Sequence, residues 1–227
     1  MKNNIGINCS ISPSSIIGKN VSIGNNVTIY DNVTIEDNVY IWDNCVIGRI
    51  PMTVRTNNRD VNNFIKTTRV GENSVIGCNV VIYSGGTIMK NCIIGDNSVI
   101  RENVFFEDDV IIGFNSTIQY NVKIGNGSRI LQQSAVSSFT EIGKMNFISC
   151  GFICVSDRYF GKEGYSEEKI VGPKIGDNNN IGPNVTVISN IIIGSGNTIG
   201  AHSLITKDIK NDAIYYGSPA KLIRAKK

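Results

Sequence analysis

Acidic side chains crowd the centre of this sequence, where five carboxylates fall within a stretch of fourteen residues. A carboxylate can orient an amine through hydrogen bonds and accept a proton from it. Glu102, which follows Arg101, and Asp96 are therefore the first catalytic candidates. Tyr120 and Asn121 follow further along the chain and offer hydrogen-bonding groups to a bound molecule. Asn121 is the third catalytic candidate, with a purely structural role as the alternative.

A basic segment spans residues 49–69 and carries five Arg or Lys side chains against one Asp. Guanidinium groups bind phosphates through forked hydrogen bonds, so this charge suits a diphosphate. Arg55, Arg59 and Arg69 are the candidate substrate contacts here, and Arg101 is a fourth. The alternative is an ordinary solvated loop.

Large apolar residues recur at every sixth position, in three series that begin at Ile5, Val70 and Ile175. The series have 8, 14 and 6 members, which makes 28 hexads. This period matches neither an α-helix nor a simple strand, and it is typical of a short strand followed by a turn. A smaller residue four positions after each large one lies on the same side of the extended segment.

The third position after each large residue is predicted to form a corner. Sixteen of these positions are asparagine and four are glycine, the residues that tolerate positive φ. Three corners close a triangular coil of eighteen residues. Coils stacked at a strand spacing of about 4.8 Å would give a prism of roughly nine coils and 45 Å. The sequence therefore predicts an all-β parallel β-helix over residues 1–206, with loops at 49–69 and 155–174 and a basic tail over 207–227.

Composition excludes several classes of protein. The net charge of +3 on 227 residues is too small and too dispersed for a nucleic-acid binder. No apolar run is long enough to span a membrane, and the polar first residues lack a secretory signal, so a cytoplasmic location is expected. The six cysteines have no metal-ligand spacing and are expected to be reduced thiols.

Two hexads, Ile-Gly-Asn-Asn-Val-Thr (23–28) and Ile-Gly-Asp-Asn-Ser-Val (94–99), carry a family resemblance. They resemble the signature of the hexapeptide-repeat transferases, which are acyltransferases with a left-handed parallel β-helix. The resemblance covers nearly the whole chain and implies a left-handed, three-sided prism. Carbonic anhydrases of the γ class and some non-enzymatic scaffold subunits share that prism.

The chain has a single histidine, His202, which excludes a zinc site built on three imidazoles. An alcohol acceptor needs a strong base, usually histidine, because its pKa lies far above 7. A sugar amine is partly neutral near pH 7 and needs mainly orientation and stabilisation of the oxyanion. The scarcity of histidine favours transfer to an amine, and an O-acetyltransferase with His202 as base is the alternative.

Residues 49–206 most resemble the N-acyltransferases that act on dTDP-linked amino-deoxysugars for surface glycans. The segment 155–174 contains the run Ser-Asp-Arg-Tyr at 156–159, which resembles a loop near the acceptor sugar and the partner subunit in that group. This resemblance implies substrate contacts for Asp157 and Tyr159. It also implies a homotrimer with active sites between neighbouring prisms.

The C-terminal residues 199–208 and 217–224 look like the terminal signature of coenzyme A-dependent members of the family. The implied donor-binding residues are Gly182, Asn184, Gly200, Ala201, His202, Ser203, Lys207, Lys221 and Arg224. Basic residues of the tail suit the phosphates of such a polyanion. The expected function is transfer of an acyl group, in the first instance acetyl, from coenzyme A to the amine of a nucleotide-linked amino-deoxysugar, without a metal. A non-catalytic β-helix scaffold is the alternative of another class.

Overall fold

Three long parallel sheets wind around one apolar interior. The computed structural model describes residues 2–53, 61, 66–159, 161–162 and 167–226. Within these residues, 31 strands form three sheets, called here face A, face B and face C. The helical structure of the described residues is a single 3-10 turn, Glu167–Lys169.

Strands pass from face A to face B to face C in turn. Face A contains β1 (Asn4–Ile5), β4 (Ser22–Ile23), β7 (Tyr40–Ile41), β10 (Val75–Ile76), β13 (Ile93–Ile94), β16 (Ile111–Ile112), β19 (Arg129–Ile130), β22 (Phe147–Ile148), β25 (Asn180–Ile181), β28 (Thr198–Ile199), β30 (Ala213–Gly217) and β31 (Ala220–Ala225). Face B contains β2 (Ser10–Ile11), β5 (Thr28–Ile29), β8 (Val46–Arg49), β11 (Val81–Tyr83), β14 (Val99–Ile100), β17 (Thr117–Ile118), β20 (Ala135–Val136), β23 (Ile153–Cys154), β26 (Thr186–Val187) and β29 (Leu204–Ile205). Face C contains β3 (Ile16–Ile17), β6 (Val33–Ile35), β9 (Thr68–Val70), β12 (Thr87–Ile88), β15 (Phe105–Phe106), β18 (Lys123–Ile124), β21 (Glu141–Ile142), β24 (Lys174–Ile175) and β27 (Ile192–Ile193).

From β1 to β29, strands three places apart pair in parallel, as in Ile76 with Ile94 and Ile100 with Ile118. Three successive strands therefore make one coil, numbered 1 (β1–β3) to 9 (β25–β27), and β28 and β29 supply two sides of a tenth. The corners are named A–B, B–C and C–A after the faces they join. The predicted three-sided parallel β-helix is confirmed.

The apolar residue of each hexad points into the prism and packs in a ladder. Ile76, Ile94 and Ile112 on face A have no exposed surface, and the same holds for Ile82, Ile100 and Ile118 on face B. The first coil lies at an open end, where Ile5 is 49% exposed. The ladder of branched side chains removes apolar surface from water in every coil, and this burial stabilises the prism.

The corner positions have the conformation that the sequence predicts. All sixteen asparagines at these positions have φ between 53° and 60°, and the four glycines also have positive φ. The amides continue from coil to coil, since Asn79 Nδ2 donates to Asn97 Oδ1 at 3.1 Å and Asn26 Nδ2 donates to Asn44 Oδ1 at 3.1 Å. Asparagine therefore relieves strain in the corner backbone, and at the A–B and C–A corners it also forms hydrogen-bonded ladders.

Glycines that follow the inward isoleucine have a packing role. A Cβ atom on Gly77 would lie 2.7 Å from the backbone nitrogen of Asp96, and one on Gly95 would lie 2.4 Å from that of Phe114. The next coil approaches these positions too closely for a side chain. The Ile-Gly pair of the hexad is thus a requirement of coil stacking.

A ladder of buried amides replaces apolar residues inside the last coils. Asn146, Asn179 and Asn197 are at most 1% exposed and occupy inward positions at the C–A corner. The backbone nitrogen of Asn179 donates to Asn146 Oδ1 at 3.0 Å, and that of Asn197 donates to Asn179 Oδ1 at 2.9 Å. Each buried amide is therefore satisfied by the neighbouring coil, which removes the cost of burying it.

Three of the six thiols lie inside the prism. Cys45 and Cys92 hold the small inward position, and burial raises the pKa of each thiol to about 11. Cys154 takes the place of an inward isoleucine, and burial raises its pKa as well. All six cysteines are free, and the buried ones behave as small apolar side chains.

A hairpin closes the C-terminal end of the solenoid. Strand β30 continues face A beside β28, and β31 returns antiparallel to it. Lys226 Nζ donates to the carbonyl oxygen of Gly196 at 2.6 Å, which ties the end of the chain to coil 10. No helix among the residues that the structure describes is long and apolar enough to cross a membrane.

The corner conformation makes a direct prediction for Asn97, an exposed residue with φ of 59°. Asn97→Val should lower the free energy of unfolding by about 1–2 kcal/mol, because a β-branched residue is strained at positive φ. Asn97→Gly removes the same amide without that strain and should cost less. Chemical denaturation of both variants measures the difference, and equal losses would contradict a conformational origin.

Candidate active site

Both interruptions of the repeat leave the prism at the same corner. The chain leaves face B after β8 in coil 3 and returns at β9, and it leaves face B again after β23 in coil 8 and returns at β24. The two departures are five coils apart, which is about 24 Å at the strand spacing. The B–C corner of the intervening coils therefore lies between two excursions, and side chains on it occur at intervals of eighteen residues.

An ion pair occupies this corner in coil 5. Arg101 Nε donates to Glu102 Oε2 at 2.9 Å, and Arg101 Nη2 donates to Glu102 Oε1 at 3.2 Å. The side chain of Glu102 has no exposed surface, whereas that of Arg101 is 30% exposed. A charged pair with this forked geometry is a strong interaction. The guanidinium is the part of the pair that an approaching molecule meets first.

Tyr83 holds the guanidinium of Arg101 in place. The Cζ atom of Arg101 lies 4.8 Å from the centroid of the Tyr83 ring, and that of Arg49 lies 5.2 Å from the same centroid. The three residues lie on coils 3, 4 and 5, at the edge of face B. Each cation is attracted to the negative face of the ring. The stack therefore brings two guanidinium groups to one ring, and that of Arg101 also contacts Glu102.

The returning end of the first excursion is fastened to the same corner. Ser84 Oγ donates to the carbonyl oxygen of Lys66 at 2.9 Å, and Lys66 Nζ donates to Asn103 Oδ1 at 3.1 Å. Lys66 adds a positive charge next to the pair of Arg101 and Glu102. The described part of this region is thus basic, with one buried carboxylate at its centre.

Aromatic residues continue the corner above Glu102. Tyr120 in coil 6 and Phe139 in coil 7 meet edge to face, with 5.5 Å between ring centroids. Asn121 is a corner residue with φ of 57°, and its backbone nitrogen donates to the carbonyl oxygen of Glu102 at 3.1 Å. The structural role that the sequence offers as the alternative for Asn121 is therefore present, and its side chain lies beside Tyr120 on this corner.

A groove of about 600 Å³ runs along face B next to this corner. Thr117 and Ala135 face the groove from face B with small side chains. Gln119, Ser137 and Asp157 line it with polar groups. A volume of this size suits a small-molecule ligand. Gln119, which lines the groove, directly precedes Tyr120 of the corner in coil 6.

The second excursion begins with a turn organised by Asp157. Its Oδ1 accepts from the backbone nitrogen of Tyr159 and its Oδ2 from that of Gly161, both at 2.7 Å. Tyr159 is 46% exposed. Asp157 therefore lies at the upper end of the groove and is fixed in the turn, whereas Tyr159 lines a separate pocket with Glu168 and Lys169.

Two candidates lie away from this corner, and two more fall outside the described residues. Asp96 lies at the A–B corner, where its Oδ1 accepts from the backbone nitrogen of Cys78 at 2.8 Å. Arg69 lies on face C, where its Nε donates to Glu36 Oε1 at 2.7 Å. Arg55 and Arg59 fall outside the residues that the structure describes. Glu102, Arg101, Tyr120 and Asn121 are thus the candidates that the fold gathers together.

The candidates for donor binding lie elsewhere on the prism. Gly182, Asn184, Gly200, Ala201 and His202 follow face A at the A–B corner of coils 9 and 10. His202 is exposed with φ of 57°, so it takes the place that asparagine holds at other corners.

Two of these donor-binding candidates have structural roles in the described fold. Ser203 is buried, and its Oγ donates to the carbonyl oxygen of Gly200 at 2.7 Å. A Cβ atom on Gly200 would lie 2.7 Å from that of Tyr216, so packing of the hairpin accounts for this glycine. The basic residues of the set are all exposed, namely Lys207, Lys221 and Arg224.

Sequence reasoning missed four residues of the corner and groove: Tyr83, Gln119, Ser137 and Phe139. The signal that identifies them is the eighteen-residue register, because Tyr83, Arg101, Gln119 and Ser137 follow the inward residue of successive coils on face B.

Within the described ranges, no three His, Cys, Asp or Glu side chains converge in a way that could hold a metal ion.

The family described as bacterial transferase hexapeptide (six repeats) matches residues 14–49, 67–102 and 172–207. Serine acetyltransferase 2 of Arabidopsis thaliana is 46% identical over 52 residues, which is 23% of this chain and 16% of that protein. The bifunctional protein GlmU of Prochlorococcus marinus (strain MIT 9313) is 29% identical over 102 residues, which is 45% of this chain and 21% of that protein. The matches therefore span a small part of these relatives.

A solved structure with the same fold is that of a UDP-N-acetylglucosamine acyltransferase, with a TM-score of 0.59. It is 19% identical, and the alignment covers 94% of this chain and 70% of that one. At this identity the likeness shows the fold alone. The coil architecture over nearly the whole chain is therefore shared with that acyltransferase.

The stack of two guanidinium groups on Tyr83 predicts a measurable contribution to stability. Tyr83→Leu should lower the free energy of unfolding by about 1–2 kcal/mol, because each lost cation–π contact is worth roughly 0.5–1 kcal/mol. Tyr83→Phe keeps the ring face and is the matched control. Denaturant titration of the two variants decides the case, and an equal loss in both would assign the effect to the phenol hydroxyl.

Proposed function

We propose that this chain, which carries the repeats of the hexapeptide-repeat transferase family and has acetyltransferase relatives, transfers an acyl group from coenzyme A to the amine of a nucleotide-linked amino-deoxysugar. The observation that supports this proposal most is the B–C corner between the two excursions. There the buried carboxylate of Glu102 pairs with Arg101, which stacks on Tyr83, and a groove large enough for a small molecule lies on the adjoining face B in coils 6 to 8.

The charges of this corner match such an acceptor. A nucleotide-linked amino sugar carries a negative diphosphate on one ring carbon and an amine on another. Arg101, with its exposed guanidinium, would leave Glu102 and take the phosphates as partner, as forked hydrogen bonding favours. The amine would then replace the guanidinium beside Glu102. Every charge remains paired in this exchange, so the buried carboxylate of Glu102 is never left without a counter-charge, which would be costly.

The reaction needs orientation more than activation. The amine binds beside Glu102 as an ammonium ion and first loses one proton to water. The neutral amine then attacks the thioester carbonyl, the new C–N bond forms, the C–S bond breaks, and the electron pair of the C–S bond leaves on sulfur. Glu102 holds the amine in position and accepts its proton late, or the departing thiolate takes that proton. Orientation of the two reactants can supply roughly 7–11 kcal/mol in favourable cases. Tyr120 and Asn121, one coil above, are placed to hydrogen-bond the sugar.

The acyl donor is proposed to bind toward the C-terminal coils. Lys207, Lys221 and Arg224 are exposed there and bring positive charge for the phosphates of coenzyme A. The small residues Gly182 and Ala201 at the A–B corner leave room for an extended chain. The donor supplies the activated thioester, and these side chains hold it in position.

A homotrimer is proposed because the acceptor-binding and donor-binding candidates lie on different corners of a single prism. Glu102 lies at the B–C corner, whereas the donor candidates lie mainly at the A–B corner, so a neighbouring prism would complete the site. Face A offers a surface for such a neighbour, since its outward side chains in coils 3 to 8 are mostly apolar: Tyr40, Val75, Ile93, Ile111 and Phe147. Exposed apolar surface of this extent is typical of an interface between subunits.

The alternative acceptor is a hydroxyl group. It is favoured by the relative named serine acetyltransferase 2, and His202 would be its base. His202 is exposed and lies five coils from Glu102 on a different corner. The two acceptor chemistries therefore depend on different residues and can be separated experimentally.

The substrate class is tested by incubating the protein with acetyl-coenzyme A and a panel of nucleotide-linked sugars, each with an amine or a hydroxyl at the same ring carbon. Mass spectrometry is expected to show one added acetyl group on the amino sugars. Acetylation of the hydroxyl sugars alone would support the alternative chemistry. The absence of any product, together with no rise in melting temperature at millimolar coenzyme A, would favour a scaffold.

The two bases are compared in a matched pair of variants. Glu102→Gln should lower kcat/KM by about 10²–10⁴, because the amide cannot accept the proton of the amine. His202→Asn restores the residue that the repeat uses at corners and should leave turnover close to that of the wild type. Melting curves of both variants show that the prism is intact. The reverse pattern of losses would overturn the assignment of Glu102.

A further inference from the structure

A second pocket lies where the second excursion crosses coils 8 and 9 at the B–C corner. It has a volume of about 330 Å³. The coils contribute Ser189 and Asn190 to its lining, and the excursion contributes Arg158 and Lys169. Glu102 lies in coil 5, which is three to four coils away, or about 14–19 Å at the strand spacing. The acyl transfer proposed at Glu102 leaves this pocket without a role.

The floor of the pocket is fixed by backbone hydrogen bonds between the excursion and the two coils. The backbone nitrogen of Val171 donates to the carbonyl oxygen of Ser156 in coil 8 at 2.9 Å. The backbone nitrogen of Asn190 in coil 9 donates to the carbonyl oxygen of Val171 at 3.0 Å. The side chains of Ser156, Ser189 and Asn190 therefore start from a backbone whose arrangement is set by the coils.

Ser189 lines this pocket with a buried hydroxyl group. The residue is 3% exposed, and its Oγ makes no hydrogen bond within the part of the chain that the structure describes. Ser84 holds the same place in coil 4, two residues after the inward residue of face B, and its Oγ donates to the carbonyl oxygen of Lys66 at 2.9 Å. A buried hydroxyl group without a partner is unfavourable. The hydroxyl group of Ser189 therefore indicates a partner atom that a bound molecule supplies.

The charges around the pocket identify the class of that molecule. Arg158 and Lys169 bring two positive charges, against the single carboxylate of Glu168. The guanidinium of Arg158 forms no ion pair or hydrogen bond with any residue that the structure describes. A guanidinium gives parallel hydrogen bonds to a phosphate, and the hydroxyl group of Ser189 and the amide of Asn190 can donate further ones. This set of donors suits an oxyanion.

We propose that this pocket binds a phosphate group, either free or carried by a small monoester, with Ser189 and Arg158 as its main donors. The volume lies at the lower end of the range for small-molecule sites, which suits an ester of a few carbon atoms. In such an ester, Glu168 would accept a hydrogen bond from a hydroxyl group. The ligand would connect the excursion to the coils beneath it. Ser156, which lines both this pocket and the groove on face B, would link the two ligand sites.

The test is calorimetry on the full chain, without coenzyme A or acceptor, with inorganic phosphate, glycerol 3-phosphate and glycerol as probes. Both phosphates should bind, and glycerol should not. Ser189→Ala and Arg158→Gln should each raise the Kd for both phosphates by about tenfold or more, because a hydrogen bond to a charged group is lost. Ser189→Ala should keep the melting temperature of the wild type, since its hydroxyl group loses no partner within the free protein.

Each variant has a matched control. Ser138 holds the place of Ser189 in coil 7 and is 5% exposed, but it lies outside the pocket. Lys162 is an exposed cation of the same excursion and also lies outside the pocket. Ser138→Ala and Lys162→Gln should keep the phosphate affinity of the wild type.

Tighter binding of glycerol 3-phosphate than of inorganic phosphate would support the pocket and identify an ester as its ligand, whereas equal affinities would support it as a site for free phosphate. The inference is overturned if neither phosphate binds at millimolar concentration, or if Ser189→Ala and Arg158→Gln bind both as tightly as the wild type does. Acetylation of nucleotide-linked amino sugars is measured separately, so either result leaves the proposed function to its own test.

Discussion

Positive φ at one residue in every six is the constraint on which this molecule depends. An L-amino acid resists that conformation, and asparagine and glycine resist it least. With sixteen asparagines and four glycines in place, the chain turns by the same amount after each short strand. Eighteen residues then close one coil, the isoleucines align in ladders, and each corner becomes a column of side chains that share a register.

The site arises from the places where this regularity is broken. Both excursions leave the prism at the B–C corner, and the side chains between them include Arg101, Glu102, Tyr120 and Phe139. A corner on a plain prism is exposed, yet Glu102 has no exposed surface. Its forked contact with Arg101, which in turn stacks on Tyr83, assembles a charged cluster on a scaffold whose coils are rigidly packed. Rigid coils fix such side chains more firmly than loops do.

Much of this fold follows from the sequence because one short period repeats. The inward isoleucines, the corner asparagines and the two interruptions are all visible as spacing. The same register also tells which side chains share a corner: Glu102 and Tyr120 are eighteen residues apart, whereas Asp96 and Glu102 are six apart and must lie at different corners. Burial of Glu102 could not be predicted, because it depends on partners from other coils. In the sequence, the glycines after isoleucine are recognisable only as a family signature. The structure gives the physical reason at Gly77 and Gly95, where the next coil leaves no room for a side chain.

In a solenoid of near-identical hexads, the coils could stack in a wrong order, because a strand displaced by one whole coil still packs against isoleucine. The column of Asn146, Asn179 and Asn197 resolves this ambiguity at one end of the prism. A displaced coil would face these amides with aliphatic neighbours and leave them without acceptors, at a cost of about 1–3 kcal/mol for each unsatisfied group. Only the native stacking order satisfies all of these buried amides, so they specify that order from within the prism.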